Sequence, residues 1–129
     1  MAERDDTAVT PSELRRKLQL AKDQSLAMSG DLDHLGSLRK ILEALRGDGE
    51  DAAALFVACN ADSLSVLASP IIASSAADHL TWVSYPKAGQ LGTDLNRDVL
   101  AAFLVERGAR PVRQIALDSA WSALRFRPQ

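Results

Sequence analysis

The chain has 129 residues, 47% hydrophobic and 25% charged, with a formal net charge of −2. A chain of this size fits one domain that buries roughly two-thirds of its unfolded surface, and the composition excludes an intrinsically disordered protein. Cys59 is the only cysteine, which excludes an intrachain disulfide or a thiolate-rich zinc cage and fits a reducing compartment.

The start, MAERDDTAVT, is acidic and lacks an apolar h-region. Residues 1–9 are therefore expected to be a flexible leader, and residues 10–129 a single domain. The longest uncharged stretch, residues 63–77, is too short and too rich in Ser to span a bilayer. A soluble cytoplasmic protein without a membrane partner is the expectation.

Thr10, Pro11 and Glu13 form a capping-box pattern with Pro at the first helical position, and a short helix should follow. Residues 24–30 have strand length and end in Gly30. Over residues 31–47, Leu32, Leu35, Leu38, Ile41, Leu42 and Leu45 repeat at helical spacing, which predicts one helix. Asp31 or Asp33 could cap its start, and Gly47 suits a left-handed stop. The apolar run 52–59 has the pattern of a central parallel strand. Asp62 could cap a short helix that Ser69-Pro70 ends, with a second helix behind it.

Residues 80–85, LTWVSY, predict a strand stopped by Pro86. Thr93 or Asp94 would cap a helix presenting Leu95, Val99, Leu100, Phe103 and Leu104, closed by Gly108 and Pro111. Alternation in the tail places Arg113, Ile115 and Leu117 on one face of a first strand, and Ser122, Leu124 and Phe126 on one face of a second. Asp118, Ser119 and Ala120 would make the turn. The order α, β, α, β, α, β, α, β, β predicts a small Rossmann-like three-layer α/β sandwich. Its mostly parallel sheet would end in an antiparallel C-terminal hairpin. The hairpin is reminiscent of the class I methyltransferase sheet, an analogy of fold that carries no activity.

The segments WVSYPK (residues 82–87), TDLNRD (93–98) and WSALRFRP (121–128), with KLQL and LFV upstream, resemble a family of short bacterial proteins grouped as a domain of unknown function. The resemblance implies a small α/β domain and assigns no reaction and no catalytic residue.

The loop between strand and helix holds the main candidate site: Lys87, Gly89, Gly92, Thr93, Asp94 and Arg97, with Asp31 and Asn60 expected nearby. A phosphate loop needs Lys and Ser/Thr directly after its last glycine, whereas Lys87 precedes both glycines here. Asp94 would also compete with a phosphate at the helix start. Ligand chemistry would then rest on the side chains of Lys87 and Arg97, with the glycines as turn residues.

Asp31, Asp33 and His34 would need a further protein ligand from elsewhere to hold a metal, so no metal is implied, and no motif calls for a cofactor. Cys59 closes an apolar strand, where a thiol is usually a core residue; His79 would be its candidate base. No GxSxG elbow occurs. Arg113, Trp121, Arg125 and Arg127 could contact nucleic acid only if Trp121 were exposed for stacking. The expected function is a non-catalytic binding or regulatory module for a small anionic ligand or a protein partner. The alternatives are a degenerate methyltransferase-like cofactor or nucleotide binder, and weak nucleic-acid contact through the tail.

Overall fold

The structure is a computed structural model that describes residues 9–129; apart from Val9, the expected leader lies outside them. The capping box forms as read. Thr10 accepts from the Glu13 amide, the Glu13 carboxylate accepts from the Thr10 amide, and helix α1 runs over Pro11–Lys17. Strand β1 follows at Leu26–Gly30.

The single helix expected over residues 31–47 does not form. Gly36, at φ 63° and ψ −137°, divides the segment into a 3-10 turn, Leu32–Leu35, and a six-residue helix α2, Leu38–Glu43. The break leaves the apolar stripe intact, because Leu35, Leu38, Leu42 and Leu45 remain in one buried cluster. Neither Asp31 nor Asp33 caps α2; Asp33 pairs with Arg39 instead. Gly47 does not take a left-handed conformation. It permits close approach, since a Cβ there would lie 2.4 Å from Ser25 Oγ.

Strand β2, Ala53–Val57, is parallel to β1 and to strand β3, Thr81–Pro86. Between β2 and β3 runs one helix, α3, Ala61–Ala76, with Pro70 inside it. The two helices expected there are therefore continuous. An internal proline loses one hydrogen bond, but Leu64 lies before it and Ile71 and Ser75 behind it, all buried, so packing on both sides holds the helix together. Helix α4, Arg97–Val105, leads to strands β4, Ala109–Ala116, and β5, Trp121–Pro128. The turn between these strands lacks Asn-Gly chemistry. In its place the Asp118 carboxylate accepts from the amides of Ala120 and Trp121 at 2.8 and 2.9 Å.

The five strands form one mixed sheet in the order β1-β2-β3-β5-β4, with β5 antiparallel to both neighbours. One face is covered by α1 and α2 through Leu14, Leu18, Leu38 and Leu42, packed with Leu55, Trp82 and Trp121. The other is covered by α3 and α4 through Leu64, Ile71, Leu100 and Leu104, packed with Phe56, Val83, Tyr85 and Phe126. The Trp82 indole N–H donates to the Leu18 carbonyl at 3.0 Å, which ties α1 to the sheet while satisfying a fully buried donor.

Strands β1, β2 and β3 are parallel neighbours in chain order, yet α2 and α3 cover opposite faces. After α2 the chain passes the outer edge of β1, where Arg46 bridges Leu26, before entering β2. The connections leave β1 and β2 at the same end but toward opposite faces. That divergence opens a crevice of the kind in which α/β sheets commonly hold ligands.

Candidate functional site

The protein's own groups bridge this crevice and leave beside it a cleft of about 300 Å³ lined by Gly30, Asp31, Leu32, Asp33, His34 and Arg39. Gly30 ends β1 at φ +104°, with so little room that a Cβ would sit 2.3 Å from the Val57 carbonyl oxygen. The next residue, Asp31, crosses to β2: its amide donates to Val57 O at 2.8 Å, and its carboxylate accepts from the Cys59 amide at 3.0 Å. Burial raises the Asp31 pKa, but hydrogen bonds from Ser63 and Cys59 outweigh it and hold the carboxyl below its ordinary value.

The start of α3 is satisfied in the same way. Asn60, not Asp62, is the N-cap and accepts from the Ser63 amide at 2.9 Å. Asp94, expected to cap α4, reaches across and accepts from the Ala61 amide at 2.8 Å. Three sequence-predicted residues, Asp31, Asn60 and Asp94, thus converge at this one helix start. They accept from the amides of Cys59, Ala61 and Ser63, and so place three oxygens where an incoming anion would meet the positive end of the dipole.

The remaining predicted residues lie on the other side of β3. Gly89 and Gly92 take φ of 81° and 67°, and a Cβ at either would meet nothing within 4 Å. They serve the turn and approach nothing closely. Thr93 accepts from the Leu95 amide at 3.0 Å within that turn. The N-cap of α4 is Asn96, which accepts from the Val99 amide at 2.9 Å. Lys87 and Arg97 do come together. With Tyr85, Ala88, Asn96, Asp98, Gln114 and Ser122 they line a cleft of about 480 Å³.

The floor of this cleft is the Tyr85 hydroxyl, in a residue only 2% exposed, which accepts from Gln114 Nε2 at 3.1 Å. Burial pushes the phenol pKa up, against a smaller opposing effect of the Gln114 hydrogen bond, so Tyr85 is a neutral hydroxyl at physiological pH. Arg97 touches only the exposed Asp98, at 3.3 Å, and Lys87 forms no ion pair among the described residues. Tyr85, Gln114 and Ser122 carried no signal in the local sequence. Strand pairing brings them together, with Tyr85 opposite Ser122 and Ser122 opposite Ala116.

The other candidates separate. Cys59 follows the C-terminal end of β2, whereas His79 precedes β3 and lines a cleft with Lys22, Asp23 and Asp51 at the opposite end of the sheet. Burial, with Asp31 alongside, pushes the Cys59 thiol pKa up, which opposes thiolate formation. Among the described residues no cluster of three His, Cys, Asp or Glu could hold a metal ion. No described helix is long and apolar enough to cross a membrane.

In the basic tail Trp121 is 2% exposed, so it offers no stacking surface. Arg125 bonds Gln19 at 2.8 Å, Arg127 holds Asp78 through two nitrogens, and Arg113 is exposed on β4. Compared with protein-family models, curated proteins and solved structures, the chain gives no match.

Proposed function

We propose that the protein is a non-catalytic binding module whose cleft between the end of β3 and the start of α4 takes a small anion. The observation that carries this reading is the convergence of Lys87 and Arg97 over the buried Tyr85 hydroxyl. Two cations supply attraction, the guanidinium supplies a planar donor fork, and the hydroxyls of Tyr85 and Ser122 with the Gln114 amide supply neutral hydrogen-bonding groups. Asp98 at the rim pairs with Arg97 at 3.3 Å and lowers the positive charge of the cleft, so a single carboxylate or phosphate group is disfavoured less than a polyphosphate.

The family resemblance belongs to the same reading. Six of the eight lining residues, Tyr85, Lys87, Asn96, Arg97, Asp98 and Ser122, fall within the three segments that carry it. The fold is in this view a Rossmann-like variant whose usual nucleotide crevice is closed by Asp31, with binding moved to the other side of β3. Nucleotide and S-adenosylmethionine binding at β1 are correspondingly disfavoured.

Amide chemical-shift titration of the full chain with inorganic phosphate, acetate and S-adenosylmethionine tests this. Saturable shifts at Lys87, Ala88, Arg97 and Gln114 with phosphate or acetate, lost in Lys87→Ala and Arg97→Ala, are expected. Shifts confined to Gly30–Asp31 with S-adenosylmethionine, or no saturable shift with any of the three, would overturn it.

A further inference from the structure

The cleft beside α4 holds an acid as well as two cations. Asp98 lines it with Lys87 and Arg97, and its carboxylate pairs with Arg97 at 3.3 Å. Both members of the pair are open to water, Asp98 at 91%, so the contact adds little to stability and each group can meet a ligand. Both also act on the floor. Burial dominates the pKa of the Tyr85 phenol, but of the charges around it Arg97 favours the ionised form and Asp98 opposes it.

A simple anion uses only the cationic half of this arrangement. We propose that the ligand of the cleft is a small zwitterion of the α-amino-acid type, with its carboxylate on Arg97 and Lys87 and its ammonium on Asp98. The inference rests on the reading of the cleft as an anion site and names the class of anion.

Arg97 and Asp98 are sequence neighbours in the first turn of α4, so they present a positive and a negative group side by side. An α-amino acid carries its own ammonium and carboxylate on one carbon, at a comparable spacing. Laid against the pair in the opposite sense, each charge of the ligand meets its opposite, and the Arg97–Asp98 contact stays intact. The floor suits both ends of such a ligand. Gln114 Nε2 donates to the Tyr85 hydroxyl, which leaves the Gln114 amide oxygen to accept from an ammonium. Lys87 also lines the neighbouring cleft with Asp118, but that carboxylate holds the turn by accepting from the amides of Ala120 and Trp121. Asp98 is therefore the acid that selects the ammonium.

Amide chemical-shift titration of the full chain with glycine, acetate and methylammonium at constant ionic strength tests this, with circular dichroism melts confirming that each variant folds. Glycine is expected to shift the same amides as acetate, at Lys87, Arg97 and Gln114, and to bind about threefold more tightly, as one added exposed ion pair allows. Asp98→Asn should weaken glycine binding about threefold yet leave acetate unchanged or up to about twofold tighter, because the cleft becomes more positive. Asp98→Glu, which keeps the charge, should stay within about twofold of the parent for glycine. Glycine no tighter than acetate, methylammonium as tight as glycine, or an Asp98→Asn variant that weakens glycine and acetate alike overturns the proposal while the anion cleft stands. No saturable shift with glycine or acetate in the parent protein removes the cleft and the proposal together.

Discussion

Two polar regions sit at the same end of the sheet, on either side of β3, and they treat anions in opposite ways. At the start of α3, Asp31, Asn60 and Asp94 occupy three backbone amides, so the helix end is closed by the protein's own oxygens. Beside α4, Lys87 and Arg97 stand over a neutral floor; Arg97 pairs with the exposed Asp98, and Lys87 lines a second cleft with Asp118. The first region is built from acceptors that satisfy donors, and the second from donors left facing water. A helix N-terminus therefore does not mark a ligand site by itself; what matters is which groups remain unpaired once the chain has satisfied its own ends.

The closed region should be costly to disturb. Gly30→Ala is expected to have the largest effect. Its Cβ would meet a backbone carbonyl at 2.3 Å, and φ is +104°, so neither the neighbour nor the new residue can adapt cheaply. A loss of at least about 3 kcal/mol in urea denaturation is expected. A loss below about 1 kcal/mol would mean that β1 and β2 are not held this closely at their C-terminal ends.

Asp31→Ala comes next, at about 1–3 kcal/mol, because it leaves the Cys59 amide without its acceptor. Asp31→Asn, which keeps an oxygen, should lose less. The pH dependence has a definite sign. The folded pKa of Asp31 lies below the unfolded value of about 3.9, so the unfolded chain binds more protons in that window. The contribution is fully present above about pH 5 and is lost as the pH falls through the folded pKa. Stability measured from pH 6 downward should therefore fall less steeply in Asp31→Asn than in the parent; equal slopes would remove the carboxylate from this role.

These effects also show what the residues alone could tell. Local chemistry was legible: the Thr10 capping box, the β3 run and the C-terminal hairpin each depend on neighbours within a few positions. The helix starts near 60 and 96 were not, because each stretch offers several capable oxygens. Asp94 is drawn away to Ala61 across the sheet end, and α4 begins only after Asn96. Gly36 breaks a helix whose apolar spacing gives no sign of interruption. Lys87 and Arg97 could be read as the chemical pair of the loop, but their floor could not. Tyr85, Gln114 and Ser122 meet through the pairing of three strands, and a slip of one residue would turn each to the other face.

Smaller losses are expected at the cap of α3. Asn60→Ala and Asp94→Ala each remove one acceptor from the helix start, and each should cost about 1 kcal/mol by urea denaturation. Their sum should be reached in the double variant if the two amides act independently. A double variant no weaker than either single one would show that water or a neighbouring side chain replaces both, and the helix start would no longer count as closed by design.

The smallest effect on stability is expected where the effect on binding is greatest. Lys87→Ala and Arg97→Ala break no buried contact: Arg97 is 49% exposed in its pair with Asp98, and exposed pairs contribute at most about 1 kcal/mol. Both variants should stay within about 0.5 kcal/mol of the parent in urea while losing the phosphate- or acetate-induced shifts at Gln114. Tyr85→Phe separates the floor from the rim. It removes the acceptor of Gln114 Nε2, so it should weaken anion binding and cost about 1 kcal/mol together. If instead Lys87→Ala or Arg97→Ala destabilised the fold as much as Asp31→Ala does, the two sides of β3 would be doing the same structural task. The contrast between a closed helix end and an open cleft would then be lost.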